Sequence, residues 1–113
     1  MLVVNDPIER SRGLSGVQLD QLNAEGMLFQ FDSPKERTFW MKGMKFDLDV
    51  VWMKEGKIVK IDRNVPAPKN GEDPVYMRST PLQVDQVLEL PAGGVDQWGF
   101  AIGAMVDGLN VSP

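Results

Sequence analysis

The stretch that decides the fold runs from Arg37 to Met53 and reads Arg-Thr-Phe-Trp-Met-Lys-Gly-Met-Lys-Phe-Asp-Leu-Asp-Val-Val-Trp-Met. An aromatic run comes first, a glycine interrupts it, and a run rich in Val and Trp follows, which are residue types that favour strands. We therefore predict two strands joined by a tight bend. Because side chains alternate along a strand, Trp40 and Lys42 share one face of the first strand, and Asp47 and Asp49 share one face of the second. Cationic and acidic faces are thus predicted to meet near one bend.

The composition of the whole chain is that of a globular domain. With 113 residues, of which 42% are hydrophobic and 25% are charged, the chain can bury roughly two thirds of the surface that it exposes when unfolded. We predict one domain over residues 1–113, and a monomer. The 12 basic and 16 acidic residues give a net charge of −4, which is the wrong sign for neutralising a phosphate backbone. We therefore expect no nucleic-acid partner.

Several features that the sequence lacks exclude classes of protein and of catalytic chemistry. The longest uncharged run, residues 97–106, is too short for the roughly 20 residues of a membrane span, and no basic segment followed by an apolar one indicates a signal peptide. The chain contains no Cys and no His, so thiolate, disulfide and imidazole chemistry are excluded. We expect no metal and no cofactor. The lack of cysteine suits an oxidising compartment.

The segments that flank the central stretch predict further strands. Met27 to Phe31 is an apolar strand, and the turn at Asp32–Lys35 is predicted to return the chain so that Thr38–Met41 pairs with it antiparallel. Lys54–Lys57 has the composition of a hairpin turn that leads into a strand from Ile58 to Val65.

The C-terminal half predicts a long surface loop from Pro66 to Pro81, a strand from Gln83 to Leu90 and a last strand from Ile102 to Leu109. Two short helices are expected at about 7–12 and 91–98, each with a proline suited to the first helical position. The sequence therefore predicts a mainly β (β-rich α+β) fold, as a compact rolled sheet or barrel-like domain of about six to seven strands.

Five blocks of the sequence carry a family resemblance. They are Glu9-x-x-Arg12-Gly13-Leu14, Gly26-Met27-Leu28-Phe29, Phe39-Trp40-Met41-Lys42, Leu48-Asp49 and Val87-Leu88-Glu89-Leu90-Pro91-Ala92-Gly93. In this order and at these distances they resemble the domain of unknown function 192 family. The resemblance implies a small, mainly β, barrel-like domain of bacteria and archaea, often behind a signal peptide or lipoprotein anchor and without an established activity. We therefore expect a periplasmic or extracellular location. The chain departs from the family pattern at Gly43, where the family usually has Asn, and at Asp47, where it usually has Pro.

The candidate ligand-binding residues are Arg12, Trp40, Lys42, Asp47 and Asp49. A tryptophan face beside a cation and a carboxylate is how a small polar ligand such as a sugar or a peptide end is held. The alternative interpretation is a core tryptophan with an ion pair at the rim of the sheet. For the two aspartates the alternative is a solvated strand face that nearby lysines neutralise.

A second candidate site is the turn formed by Ala92, Gly93 and Gly94. Free backbone donors and the positive end of a helix dipole can bind an anion there, and the two glycines allow close approach. The alternative is a plain proline-initiated helix.

Three functional hypotheses remain. The first is an extracytoplasmic binding module without catalysis, which takes an unknown small polar ligand or a peptide. The second is a hydrolase-like enzyme in which Asp47 or Asp49 is a general base or Lys42 activates Ser79. The third is a protein-protein interaction domain with no small ligand. Without His or Cys a catalyst must tune a carboxylate or a lysine by burial, and no sequence pattern indicates such tuning, so we favour the binding module.

Overall fold

The structure, a computed structural model, describes the backbone of residues 2–4 and the whole of residues 26–106. Seven strands and one helix lie within these residues. They are β1 (Leu2–Val4), β2 (Met27–Lys35), β3 (Thr38–Trp40), β4 (Leu48–Lys54), β5 (Lys57–Val65), β6 (Tyr76–Arg78), β7 (Val84–Pro91) and α1 (Gly94–Trp98). The helix predicted at 7–12 lies outside the described residues.

The strands form two sheets. Five strands make one sheet in the order β1-β2-β7-β4-β5, and β3 and β6 make a separate pair. All neighbours are antiparallel except β1 and β2, which are parallel. The mainly β prediction is confirmed, but the barrel-like closure is wrong. The sheet stays open because β3 and β6 form a second layer instead of joining its two edges.

The inner strands of the large sheet, β4 and β7, are buried on both faces and contribute to both hydrophobic cores. Side chains of β4 alternate between them, so Trp52 packs with the β3–β6 layer and Val51 packs with the helix side. We call these the layer-side core and the helix-side core. Burial on both faces explains why the run from Leu48 to Met53 is almost continuously apolar. Fully buried members of the two cores include Phe29, Met41, Leu48, Val50, Trp52, Val84 and Val87, and Leu28, Val51, Met53, Ile58, Leu88, Leu90 and Val95.

The hairpin between β4 and β5 is confirmed at the predicted residues. Glu55 and Gly56 have φ values of 52° and 82°, which is the pair of left-handed residues that suits a two-residue hairpin turn. Beyond the turn β5 contains a bulge, because Met53 stands opposite Ile58 but Trp52 stands opposite Lys60. The extra residue moves Lys60 to the face of Trp52.

The predicted antiparallel pairing of Met27–Phe31 with Thr38–Met41 is wrong. β2 continues through the predicted turn to Lys35, with a register shift after Gln30, and pairs with β7, while β3 pairs with β6. Side-chain hydrogen bonds of Arg37 stabilise this pairing. Its Nε donates to the carbonyl oxygen of Val84 at 3.0 Å and its Nη2 donates to that of Ser33 at 2.6 Å. The bond to Val84, 47 residues along the chain, favours this arrangement over the one that the local turn composition predicts.

Three C-terminal elements differ from the predictions. The helix begins at Gly94 and not at Pro91, because β7 continues to Pro91. The predicted loop 66–81 contains the strand β6. Of the predicted strand 102–109, the described part makes only an isolated bridge between Met105 and Lys57, and the remainder lies outside the described residues.

One carboxyl group is buried inside the large sheet. Glu89 of β7 is 4% exposed and stands opposite Met27 and Val50, two members of the layer-side core. Burial raises the pKa of the Glu89 carboxyl from 4.5 to about 7, because apolar surroundings disfavour the charged form. No sequence pattern indicates that the pKa of a carboxyl group is shifted in this way.

We predict that Glu89 makes the protein less stable as the pH rises from 4.5 to about 7. In this window the folded state keeps a proton that the unfolded chain releases, so the free energy of unfolding falls with pH, by roughly 3 kcal/mol in total. Glu89→Gln is expected to remove this slope and to exceed the wild type in stability at pH 8. Urea denaturation from pH 4.5 to 8 measures both effects. Glu36→Gln, at an exposed position, is the control, and equal slopes for wild type and Glu89→Gln would contradict the prediction.

Candidate functional site

The outer face of the β3–β6 pair carries two stacked aromatic rings. Trp40 and Tyr76 stand opposite each other in register, with ring centroids 5.8 Å apart and planes inclined by 28°. The two residues are 45% and 52% exposed, whereas the neighbouring Phe39 and Met77 point into the layer-side core. Strand alternation therefore places the cross-strand pair of Phe39 and Met77 in the core and the aromatic pair at the surface. We call Trp40 and Tyr76 the aromatic platform.

A cation flanks each end of the aromatic platform. The Nζ of Lys42 lies 4.9 Å from the centroid of the Trp40 ring, and the Cζ of Arg78 lies 5.6 Å from the centroid of the Tyr76 ring. Cations at such distances are attracted by the ring faces, by about 0.5–1 kcal/mol at exposed sites. The structure thus brings Trp40 and Lys42 together as the sequence predicted, and adds Tyr76 and Arg78.

An open groove of about 550 Å³ lies beside the aromatic platform, between β5 and β6. Tyr76 belongs to both features, so the platform forms part of the groove wall. The other lining residues are Lys60, Ile61, Asp62, Arg63, Asn64, Val65, Pro66, Val75, Met77 and Arg78.

Charged side chains on β5 are fixed at one side of the groove. Asp62 accepts a hydrogen bond from Nε1 of the fully buried Trp52 at 2.9 Å, and its Oδ1 lies 3.8 Å from Nζ of Lys60. Nζ of Lys60 also donates to the carbonyl oxygen of Arg78, which ties β5 to β6. Arg63 lies 3.5 Å from the exposed carboxylate of Asp96. Three cations and one carboxylate therefore line the groove, a local positive excess on a chain of net charge −4.

The predicted anion site is filled by the chain's own Asp49. This residue is 2% exposed, and its Oδ2 accepts hydrogen bonds from the backbone N–H groups of Gly93 and Val95, each at 3.0 Å. Its Oδ1 accepts from the N–H of Asn64 at 2.9 Å. Two residues that the sequence analysis assigned to separate sites, Asp49 and Gly93, are therefore hydrogen-bonded to each other. The carboxylate holds the start of α1 and the end of β5 against β4.

Asp47 and Ser79 are not among the groove-lining residues. Asp47 is exposed, and its Oδ1 accepts from the N–H of Ala67 at 2.8 Å. Ser79, the hydroxyl of the hydrolase hypothesis, is fully buried, and its Oγ accepts from the N–H of Arg37 at 2.8 Å. Arg12 lies outside the described residues.

Sequence reasoning missed four residues of the site, namely Lys60, Asp62, Tyr76 and Arg78. The first two belong to a strand whose bulge cannot be read from its alternation, and the last two belong to a segment predicted as loop. The alternation of Tyr76 and Arg78 around the apolar Met77 was the available indication of a half-buried strand.

Comparisons with known proteins identify relatives of the same fold. The sequence model of DUF192, described as Uncharacterized ACR, matches residues 1–108. A crystal structure from Sinorhizobium meliloti 1021, described as a candidate transcription regulator, has a TM-score of 0.76 and 31% identity, and the match covers 91% of this chain and 76% of that one. A protein of unknown function from Novosphingobium aromaticivorans DSM 12444 has a TM-score of 0.71 and 25% identity, covering 91% and 70%.

The other comparisons give no relative with a described activity. No protein in the curated set matches the chain.

Among the residues that the structure describes, no helix has the length and apolar character needed to cross a membrane.

We predict that Asp49→Asn destabilises the fold by about 2–4 kcal/mol. The carboxylate accepts backbone hydrogen bonds with both oxygens, whereas the NH2 group of an amide cannot accept one. Asp47→Asn is the matched control, since Asp47 is exposed and accepts one such bond; a loss below about 1 kcal/mol is expected there. Chemical denaturation gives both values. Equal losses in the two variants would show that the buried carboxylate has no special role.

Proposed function

The chain belongs to the domain of unknown function 192 family, and from this premise we propose that it is a binding module without catalysis that takes a small polar ligand or a peptide. The observation that carries the proposal is the exposed stack of Trp40 and Tyr76, flanked by Lys42 and Arg78 and continuous with the groove. The proposed location is extracytoplasmic, which the absence of cysteine supports.

The physical properties of the aromatic platform support this function. Two large ring faces remain in water, so a ligand that covers them gains apolar contact area with little loss of side-chain freedom. Lys42 and Arg78 add directional charge at the two ends and so fix the orientation of a polar ligand. Aromatic and arginine side chains of this kind dominate the affinity of many interfaces.

The positions of the ionisable groups favour binding over the hydrolase-like alternative. Asp49 and Ser79 are buried and hydrogen-bonded to backbone groups, and Asp47 is bonded to the backbone of Ala67. Glu89 has a raised pKa, the property expected of a general acid or base, but it lies in the layer-side core and is not among the groove-lining residues. The groove itself offers Asp62, whose carboxylate is bonded to Trp52.

A second candidate function, a protein-protein interaction domain, is favoured by exposed apolar side chains that do not line the groove. Trp98, Ile102 and Met105 are 50%, 66% and 62% exposed. Large exposed apolar side chains that form a patch mark contact sites for other proteins.

We predict that a ligand of the aromatic platform raises the thermal midpoint of the wild type and leaves that of Trp40→Ala and Tyr76→Ala unchanged. The panel comprises oligosaccharides, blocked peptides, amino acids, organic anions and nucleotides. A ligand at 100 times its Kd adds ~2.7 kcal/mol, which raises the midpoint by roughly 10 °C for a domain of this size.

The matched control for this experiment is Trp98→Ala, because Trp98 is as exposed as Trp40 but lies on α1. Binding lost in the platform variants and kept in Trp98→Ala supports the proposal. Binding lost only in Trp98→Ala would move the site to the second candidate surface, and a panel without any shift would overturn the module hypothesis.

A further inference from the structure

We propose that the groove binds an extended acidic peptide, which adds as a strand to the free edge of β6. This inference rests on the proposed function and names its ligand class. Strand addition supplies affinity through backbone hydrogen bonds and supplies specificity through alternate side chains.

The free edge of β6 faces the groove. The carbonyl oxygen of Val75 and the N–H of Ser79 each bond to backbone groups on the β3 side at 2.9 Å. Because the bonding direction alternates along an antiparallel strand, the backbone groups of Tyr76 and Arg78 point away from β3. The bond that the carbonyl oxygen of Arg78 accepts from Lys60 on β5 fits this direction. This strand edge, whose Arg78 carbonyl oxygen already accepts from Lys60, therefore forms one wall, and an added strand would have to displace Lys60 from that oxygen.

The opposite wall is also a strand edge. β5 is the last strand of the large sheet, and near its start the backbone of Ile58 bonds to Gly103 and Ala104 at 2.8 and 2.9 Å. Further along, from 60 to 64, no strand in the described part of the chain pairs with this edge. The groove is thus a slot between two strand edges. An exposed strand edge is a ready template for another extended chain.

The charges of the slot select an acidic peptide. Lys60, Arg63 and Arg78 line it together with the carboxylate of Asp62, and Arg63 also lies 3.5 Å from the carboxylate of Asp96, so one positive charge remains in excess. The Asp62 carboxylate is already bonded to the indole N–H of Trp52 and lies near Lys60. The local excess of positive charge, on a chain that is acidic as a whole, attracts carboxylates and repels a basic peptide.

The alternation of side chains along the added strand predicts the sequence pattern of the bound peptide. Side chains on the outer face of such a strand lie beside Tyr76 and Arg78, so acidic residues are expected at every second position. The intervening side chains point inwards towards Met77 and Val65, which belong to the layer-side core. The expected ligand therefore alternates acidic and apolar residues over about four to six positions, the usual length of a short strand.

The test begins with selection of blocked octapeptides from a random library on the immobilised full chain. We expect the selected peptides to alternate acidic and apolar residues. The best peptide is then made in two N-methylated forms, one for each set of alternate amides. At least one form should bind at least about tenfold more weakly, since the backbone bonds to β6 are lost.

Variants of the chain locate the contact. Arg78→Gln removes the guanidinium and keeps the outward N–H, whereas Arg78→Pro removes both, so the Pro variant should bind more weakly than the Gln variant. Thr38→Pro is the matched control, because Thr38 stands opposite Arg78 and its N–H points away from β6 at the other edge. Circular dichroism checks that each variant is folded, and the N-methylated peptides test the contact without any change in the protein.

Three results would overturn the inference: no peptide is selected, the selected peptides are not acidic, or neither N-methylated form is weakened. If an oligosaccharide still raises the midpoint through Trp40 and Tyr76, the peptide inference fails while the proposed function stands. If no ligand of either kind binds, both fail.

Discussion

The two-sided burial of β4 is the constraint on which the rest of the structure depends. Its side chains supply the layer-side core and the helix-side core in turn, so a covering layer is needed on each face of the large sheet. The β3–β6 pair packs against one face, and Val95 of α1 packs with Phe100 and Val106 against the other. Asp49 is the one charged residue between Leu48 and Met53, and its carboxylate bonds the start of α1. The strand that fills both cores therefore also positions the helix.

This arrangement also creates the groove. The β3–β6 layer contributes Phe39 and Met77 to the core, which leaves the alternate side chains Trp40 and Tyr76 facing outwards. The bulge in β5 turns Lys60 to the face of Trp52, where it reaches the carbonyl oxygen of Arg78. Because the layer covers the sheet only as far as β5, a slot remains between the edges of β5 and β6. The site is thus a consequence of how the two layers meet.

The family and its relatives place the fold but give no activity to this chain. One structural relative is described as a candidate transcription regulator and the other as a protein of unknown function. The proposed function therefore rests on the geometry of the groove and the aromatic platform. The buried carboxylate of Asp49 is bonded to backbone groups of the fold, whereas the ring faces of the aromatic platform are exposed to solvent.

The sequence by itself determined the mainly β content, the hairpin at Lys54–Lys57 and the closeness of Trp40 to Lys42, because these depend on residues within a few positions of each other. It also carried the family resemblance, through blocks spread along most of the chain. Only the tertiary structure decided which strands pair, since that choice rests on distant contacts such as the bond from Arg37 to Val84. The tertiary structure also decided the groove and the hydrogen bond from Gly93 to Asp49, two residues that lie 44 positions apart in the chain. Local composition cannot specify such pairs, because these contacts stabilise the fold only once both cores are packed.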